Sequence, residues 1–340
     1  MAALFKEIIA KLVEKNSLTD QEAYEAMIQM MQGEATESQI AAYLTALRMK
    51  GETVEEISGS ARAMREKAIR LRPEAETVVD TCGTGGDRKG TFNISTVAAF
   101  VLAGAGVTVA KHGNRSVSSS CGSADVLKQV GVNIELDPLK VESMINRHGI
   151  GFLFAPSFHR SMRFARKTRE EIGFRSLFNI LGPLTNPALA AIQVLGVYRP
   201  ELTELMARVL VGLGSRHCFV VHGSDGLDEI TLTGPTRISE GKDGKIHNYT
   251  VVPEDFGLER CLLSDFAGGT PEENAGILID ILNGEKGPRR NIVLVNAAPA
   301  LIAANKAGDF KSAIAVASES IDSGRALGKL KEVIDASHKG

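Results

Sequence analysis

Thr77-Val78-Val79-Asp80-Thr81-Cys82-Gly83-Thr84-Gly85-Gly86-Asp87, followed shortly by Asn93-Ile94-Ser95-Thr96-Val97, is the stretch that decides the fold class. Thr77-Val78-Val79 reads as a strand, the glycines as a turn, and Val97 to Ala105 as a buried helix that Asn93 to Thr96 open. A strand running through a glycine turn into a helix is the repeating unit of an α/β sheet. The turn has its own chemistry. Glycines let backbone N–H groups close on an anion, and a helix N-terminus adds unpaired donors and partial positive charge.

Upstream of this unit the chain reads as helices only. Leu4, Phe5, Ile8, Ile9, Leu12 and Val13 recur at helical spacing. Thr19 with Glu22, Thr36 with Gln39 and Thr53 with Glu56 are three capping-box pairs, and Gly33 and Gly51 are stops. The methionines Met27, Met30 and Met31 fall on the buried stripe of the second helix. Downstream, short β-branched runs alternate with helices. Strands are expected at Val107–Ala110, Val132–Ile134, Gly151–Phe154, Gln193–Val197, Cys218–Val221 and Ile292–Val295, with a helix capped by Ser123 and ending near Gly131. Gly241-Lys242-Asp243-Gly244-Lys245 marks a hairpin inside an antiparallel excursion over 235–265. The fold class is therefore α/β: a small helical N-terminal domain joined to a larger domain with a mostly parallel central sheet. The charged-then-apolar stretch Ser161 to Leu181 reads as a helical insertion packing back on the N-terminal helices.

Composition narrows the function classes. The chain has 340 residues, 44% hydrophobic and 24% charged, enough for a large core or two ordinary domains. A net charge of -2 gives no electrostatic case for nucleic-acid binding. No apolar run is long enough to span a membrane, and the first residues do not read as a secretory signal, so a cytoplasmic protein is expected. Cys82, Cys121, Cys218 and Cys261 form no CxxC pair and read as buried or loop thiols, with Cys82 and Cys121 beside glycines as the two open to redox sensitivity.

Four elements carry the candidate chemistry. The glycine turn lacks the Gly-Lys-Ser/Thr closure of a nucleotide-triphosphate loop, and Asp87 would oppose a dinucleotide pyrophosphate. The second element, Lys111-His112-Gly113-Asn114-Arg115-Ser116-Val117-Ser118-Ser119-Ser120-Cys121-Gly122-Ser123, follows a strand and brings two cations and five serines to the same sheet edge, where α/β proteins bind ligands. Third, Asp228-Glu229 follows another strand. Paired carboxylates in a loop are ordinarily just solvated; beside two phosphate loops they suit Mg²⁺. Fourth, Arg163, Arg166 and Arg169 line one side of a helix, either as a solvated face or to recognise an acidic substrate through the planar guanidinium fork. Together these residues point to a Mg²⁺-assisted reaction on a polyphosphorylated small molecule.

Gly83-Thr84-Gly85-Gly86-Asp87, Asn93-Ile94-Ser95-Thr96, Lys111-His112-Gly113-Asn114-Arg115, Gly122-Ser123-Ala124-Asp125, Asn179-Ile180-Leu181-Gly182-Pro183-Leu184-Thr185-Asn186-Pro187 and Asp228-Glu229 together make the chain resemble the anthranilate phosphoribosyltransferases over nearly its whole length. The resemblance implies a nucleoside-phosphorylase-like fold, a homodimer formed through the helical domains, and a helical domain of 1–72 plus about 170–190 against an α/β domain of 73–169 and 191–340. It implies that Gly83, Gly86, Asp87, Thr91, Asn93, Ser95, Thr96, Lys111, His112, Gly113, Asn114, Arg115, Ser116, Val117, Ser118, Ser119 and Ser123 bind phosphoribosyl pyrophosphate. Gly83, Asn114 and Arg169 would hold anthranilate, with His112 and His159 as nearby walls, and Ser95, Asp228 and Glu229 would bind Mg²⁺. Two relatives of the same architecture compete. A pyrimidine-nucleoside phosphorylase calls for Lys-x-Ser where this chain has Lys111-His112-Gly113. A nucleic-acid-binding relative calls for a strongly basic surface.

Overall fold

The computed structural model describes residues 2–115 and 121–339, residues 2–4 by their backbone only. Four helices come first: α1 (Ala2–Val13), α2 (Asp20–Gln32), α3 (Glu37–Lys50) and α4 (Val54–Lys67). All three capping boxes form, so the polar residues read from sequence set the starts of α2, α3 and α4. Each cap contributes about 1 kcal/mol. Glu56 does more than cap. Fully buried, it also accepts the Leu18 N–H at 2.9 Å and pairs with Lys50 at 2.9 Å.

The α/β part runs β1 (Val79–Gly83), α5 (Ile94–Gly104), β2 (Val109–Gly113), α6 (Ser123–Gln129), α7 (Pro138–His148) and β3 (Ile150–Phe154). Then come α8 (Ala155–Phe158), α9 (Arg163–Ile172), α10 (Phe178–Leu181), β4 (Ile192–Gly196), α11 (Leu202–Gly212), β5 (His217–Gly223), β6 (Thr236–Lys242) and β7 (Lys245–Val251). Four helices close the chain: α12 (Pro271–Leu282), α13 (Pro288–Ala303), α14 (Phe310–Asp322) and α15 (Arg325–His338). The strands form one sheet in the order β3-β2-β1-β4-β5-β6-β7, parallel from β3 through β5 and antiparallel from β5 to β7. The hairpin turns at Asp243-Gly244, as its sequence indicated.

Alternation along the strands divides the core. Ile192, Val194, Phe219 and Val221 face a core shared with α5 and α12–α15, while Leu195, Val197, Cys218 and Val220 face α11 and the N-terminal helices. Ala165, Leu177, Phe178, Ile180, Leu181 and Leu184 join that second core, so the 161–184 segment does pack back on α2–α4.

Several local expectations are corrected. The first two strands begin at Val79 and Val109, so Asp80 to Gly83 and Lys111 to Gly113 are strand rather than loop. Their polar side chains are buried at the working edge of the sheet, which hides the usual strand pattern. Val132 to Ile134 is an irregular link whose apolar side chains are buried without pairing to the sheet. Ile292 to Val295 lies inside α13. This helix is buried almost all round, so its apolar run carries no helical period. Ser123 is the first residue of α6 rather than its cap. Gly122 holds the cap position, with its N–H donated to Asp125 at 2.9 Å.

Candidate active site

The chain leaves β1 toward β2 on one side, while β4 starts the run to β5 on the other. Loops leaving the carboxyl ends of β1 and β4 therefore diverge and open a crevice, the place where parallel sheets bind ligands. Gly83 and Gly196 end these two strands and lie opposite each other in register. Asp228 sits in the notch they leave. A β-carbon at Gly83 would stand 2.5 Å from its Oδ2, and one at Gly196 would stand 2.5 Å from its carbonyl carbon. The carboxylate is tied to the glycine turn by the Gly85 N–H at 2.8 Å.

Three carboxylates gather there. Burial pushes Asp228 up to about 7, and the negative charge of Asp87 adds to the effect. Burial, then Asp228, raises Glu229 well above the ordinary range. Glu229 in turn accepts the Ser95 N–H at the start of α5, so a carboxylate meets the positive end of that helix. Lys111 is buried on β2 and donates from Nζ to the Thr81 carbonyl at 2.5 Å and to Ser95 Oγ at 3.3 Å. Burial lowers its pKa, against the pull of Asp80 and Glu229. Thr81 Oγ1 donates to the Ser95 carbonyl at 3.0 Å. Ser95 is thus the junction between β1, β2 and the carboxylates.

The other expected residues divide. Asn93 stands at the start of α5 with Nδ2 on the Cys121 carbonyl at 3.1 Å, and Thr96 is fully buried behind it. Thr91 lies on the far stem of the glycine turn, bridged to Ala267. Ser123 Oγ donates to the Asn114 carbonyl at 3.3 Å, and Gly113 lies against Ser123. Arg115 is not drawn to the carboxylates. It pairs with Glu135 at 2.9 Å on the surface and lies over Phe154. Ser116, Val117, Ser118 and Ser119 lie outside the described residues. Of the three arginines of α9, Arg163 and Arg166 are exposed, Arg166 pairing with Glu170. Arg169 is half-buried with its guanidinium 4.9 Å from the centre of the Phe178 ring, and burial lowers its pKa.

Comparison with known proteins fits this geometry. A family model described as "Glycosyl transferase family, a/b domain" matches residues 75–327, and one described as "Glycosyl transferase family, helical bundle domain" matches 6–68. Anthranilate phosphoribosyltransferase of Moorella thermoacetica is 56% identical over 97% of this chain and 98% of its own. The chain belongs to the anthranilate phosphoribosyltransferase family. The crystal structure of the Thermus thermophilus member superposes with a TM-score of 0.93 at 44% identity, over 98% of this chain and 99% of that one. The Saccharomyces cerevisiae member, solved in complex with PRPP and Mg, gives 0.90 at 30% identity, over 99% and 98%.

For an anthranilate phosphoribosyltransferase, the donor set suits Mg²⁺. Asp228, Glu229 and Ser95 offer hard oxygen ligands, and Asp87 Oδ2 is buried with no partner among the described residues. Those residues hold no ready-made cage of three or more His, Cys, Asp or Glu. Mg²⁺ typically takes one or two carboxylates and completes its shell with phosphate and water.

Arg175, which sequence reading did not single out, adjoins the candidate site, together with residues of the stretches quoted above. Arg175 follows the αL cap Gly173 of α9, donates from Nη2 to the Gly86 carbonyl and lies 4.2 Å from the centre of the Tyr198 ring. The segment carrying Arg169 is thereby joined to the glycine turn. Asn186 donates to Asp80 Oδ2 and to the Ala110 carbonyl, both at 2.8 Å, tying the Gly182 to Pro187 motif to β1 and β2. Asp80 is pushed up to about 6 by burial, against the attraction of Lys111. Beside it, His112 and His159 stand 5.1 Å apart, both buried, each with Nε2 unpartnered among the described residues. Burial lowers both, His159 to about 4 and His112 well below the ordinary range, so both are neutral near pH 7.

Proposed function

We infer that this chain transfers the phosphoribosyl group of 5-phosphoribosyl 1-pyrophosphate to the amine of anthranilate, giving N-(5-phosphoribosyl)anthranilate and pyrophosphate, the second step of tryptophan biosynthesis from chorismate. The observation that carries this reading is the seating of Asp228 between Gly83 and Gly196, which puts a carboxylate pair, Lys111 and the glycine turn in one crevice. Mg²⁺ held by Ser95, Asp228 and Glu229 would supply positive charge to the leaving pyrophosphate.

The protein's own part is electrostatic and positional. Lys111 and the backbone N–H groups of the glycine turn favour the leaving group as its charge grows. Asn93, Thr96 and the second loop, residues 111–119 with Ser123, orient the donor. Arg169 pairs with the anthranilate carboxylate, and Gly83 and Asn114 border the ring, which holds the amine near the ribose carbon. An aromatic amine is neutral at pH 7, so attack requires no prior deprotonation, and no acid or base is assigned. Neutral His112 and His159 suit a wall of the acceptor site without adding charge.

We also propose that the chain works as a cytoplasmic homodimer, divided into a helical body of 1–72 with about 170–190 and an α/β body of 73–169 with 191–340. Burial of Leu177, Phe178, Ile180 and Leu181 with α2–α4 supports the division, and Val13 and Met49, exposed at the ends of α1 and α3, support an interface on the helical side. No helix among the described residues is long and apolar enough to cross a membrane. The test is consumption of anthranilate fluorescence by the purified protein with Mg²⁺ and phosphoribosyl pyrophosphate. Unchanged fluorescence together with phosphorolysis of thymidine or uridine would overturn the reading.

A further inference from the structure

The far stem of the glycine turn is held by a segment distant in sequence. Gly268 donates its N–H to the Gly90 carbonyl at 2.8 Å, and Phe92 donates to the Phe266 carbonyl at 3.1 Å. One turn later, on α12, Asn274 is 2% exposed and lies against Asn93. Its Oδ1 accepts the Gly269 N–H at 2.8 Å, and its Nδ2 donates to Asn93 Oδ1 at 3.2 Å. Asn93 Nδ2 then donates to the Cys121 carbonyl at 3.1 Å.

The direction of this relay is fixed at both ends. A backbone N–H can only donate and a carbonyl can only accept, so neither amide can turn over without setting like against like. The Cys121 carbonyl takes one hydrogen of Asn93 Nδ2, and the second has no acceptor among the described residues. The burial of α12 is supplied by Ile277, Leu278, Ile281 and Leu282, so its packing does not require an amide at 274. What the amide adds is orientation, and buried polar networks specify geometry strongly when every member is satisfied.

We propose that Asn274 is a positioning residue for phosphoribosyl pyrophosphate, acting through Asn93, whose amide it holds in the one orientation that leaves an N–H for the substrate. This rests on the reading that Asn93 contacts that substrate. Asn274→Asp is nearly isosteric. Its carboxylate still accepts from Gly269 but cannot donate to Asn93, so the Asn93 amide loses its fixed orientation: kept, its oxygen faces a carboxylate, and turned over, it faces the Cys121 carbonyl.

The experiment measures binding of phosphoribosyl pyrophosphate with Mg²⁺ by calorimetry, steady-state kinetics for both substrates, and Tm. The variants are Asn274→Asp, Asn274→Ala, Asn93→Ala and Asn93→Ala with Asn274→Asp. Expected are a tenfold or larger loss of phosphoribosyl pyrophosphate affinity in Asn274→Asp, a KM for anthranilate within twofold of the parent, and less than twofold further loss when the change is added to Asn93→Ala. Asn274→Ala, which adds no charge, follows the same pattern with a smaller loss if the aspartate variant does not fold. A lowered Tm with unchanged affinity in both Asn274 variants overturns the proposal, as does a loss that persists undiminished in the Asn93→Ala background. A parent protein that fails to bind phosphoribosyl pyrophosphate or to consume anthranilate refutes the functional reading itself, a separate result.

Discussion

Replacing Gly196 by alanine tests whether the sheet edge positions the carboxylates. The new β-carbon would lie 1.6 Å from the carbonyl oxygen of Asp228, 2.5 Å from its carbonyl carbon and 3.2 Å from its Cβ. Packed atoms sit about 3–4 Å apart, so Asp228 must move by about 1.5–2 Å. Gly196 cannot easily retreat, because it is held in register between Gly83 of β1 and Val221 of β5. Overpacking of this kind costs about 1–3 kcal/mol, which for a chain of this size lowers Tm by a few degrees. The functional effect is larger. A shift of that size threatens the 2.8 Å bond from the Gly85 N–H and displaces the carboxylate, and a misplacement of only about 1 Å can reduce a rate by about 100-fold. The assay is turnover at saturating substrates across a Mg²⁺ titration, with Tm measured alongside. Expected are a roughly 100-fold fall in kcat and a higher Mg²⁺ requirement. Gly212→Ala is the control. At the end of α11 its β-carbon meets nothing within 4 Å, and turnover stays at the parent level with Tm equal or higher. Parent-like turnover and Mg²⁺ dependence in Gly196→Ala would refute the reasoning.

Asp228→Asn with Glu229→Gln removes two carboxylates that burial and repulsion from neighbouring carboxylates already disfavour. Mg²⁺-dependent turnover should collapse while the metal-free Tm stays level or rises, and a lower Tm would count against the repulsion. Arg169→Ala should raise KM for anthranilate more than KM for phosphoribosyl pyrophosphate; equal rises would remove the carboxylate clamp. His159, held at about 4 by burial, binds fewer protons folded than unfolded as pH falls below about 6.5, so its stability contribution is complete above that pH and is lost on descent to 4. The loss approaches about 3 kcal/mol, and His159→Gln should flatten the Tm profile between pH 6.5 and 4; an unaltered slope is the contrary result. Lys50→Met leaves the buried Glu56 carboxylate without its cation, and chemical denaturation should register a loss of about 3 kcal/mol, with a loss under about 1 kcal/mol as the negative outcome.

The N-terminal helices were legible because their signals are local. A threonine and an acid or amide three residues on meet within one turn whatever the rest of the chain does, and Thr19, Thr36 and Thr53 each behave so. The candidate site loops were legible for a related reason, since Gly83 to Asp87 and Asp228-Glu229 carry unusual chemistry in short runs. Strand limits were less legible. Asp80, Thr81, Lys111 and His112 are polar yet buried in the last turns of extended chain before the crevice, so the pattern that marks a strand fails where the site begins. Ile292 to Val295 failed for the opposite reason, because a helix covered on nearly every side has no polar face to give it a period.

Sequence by itself determined the class of fold, the capped helices and the identity of the charged and glycine-rich segments, because each depends on residues close along the chain. Only the tertiary structure decided that Gly196 shares a notch with Gly83, that Arg175 reaches Gly86, and that Asn274 donates to Asn93 across an interval of 181 residues. Those relations arise from strand order and helix packing, which bring distant residues within hydrogen-bonding range. No local pattern records such a contact, since a glycine, an arginine or an asparagine acquires its task there only from the partner that the fold places beside it.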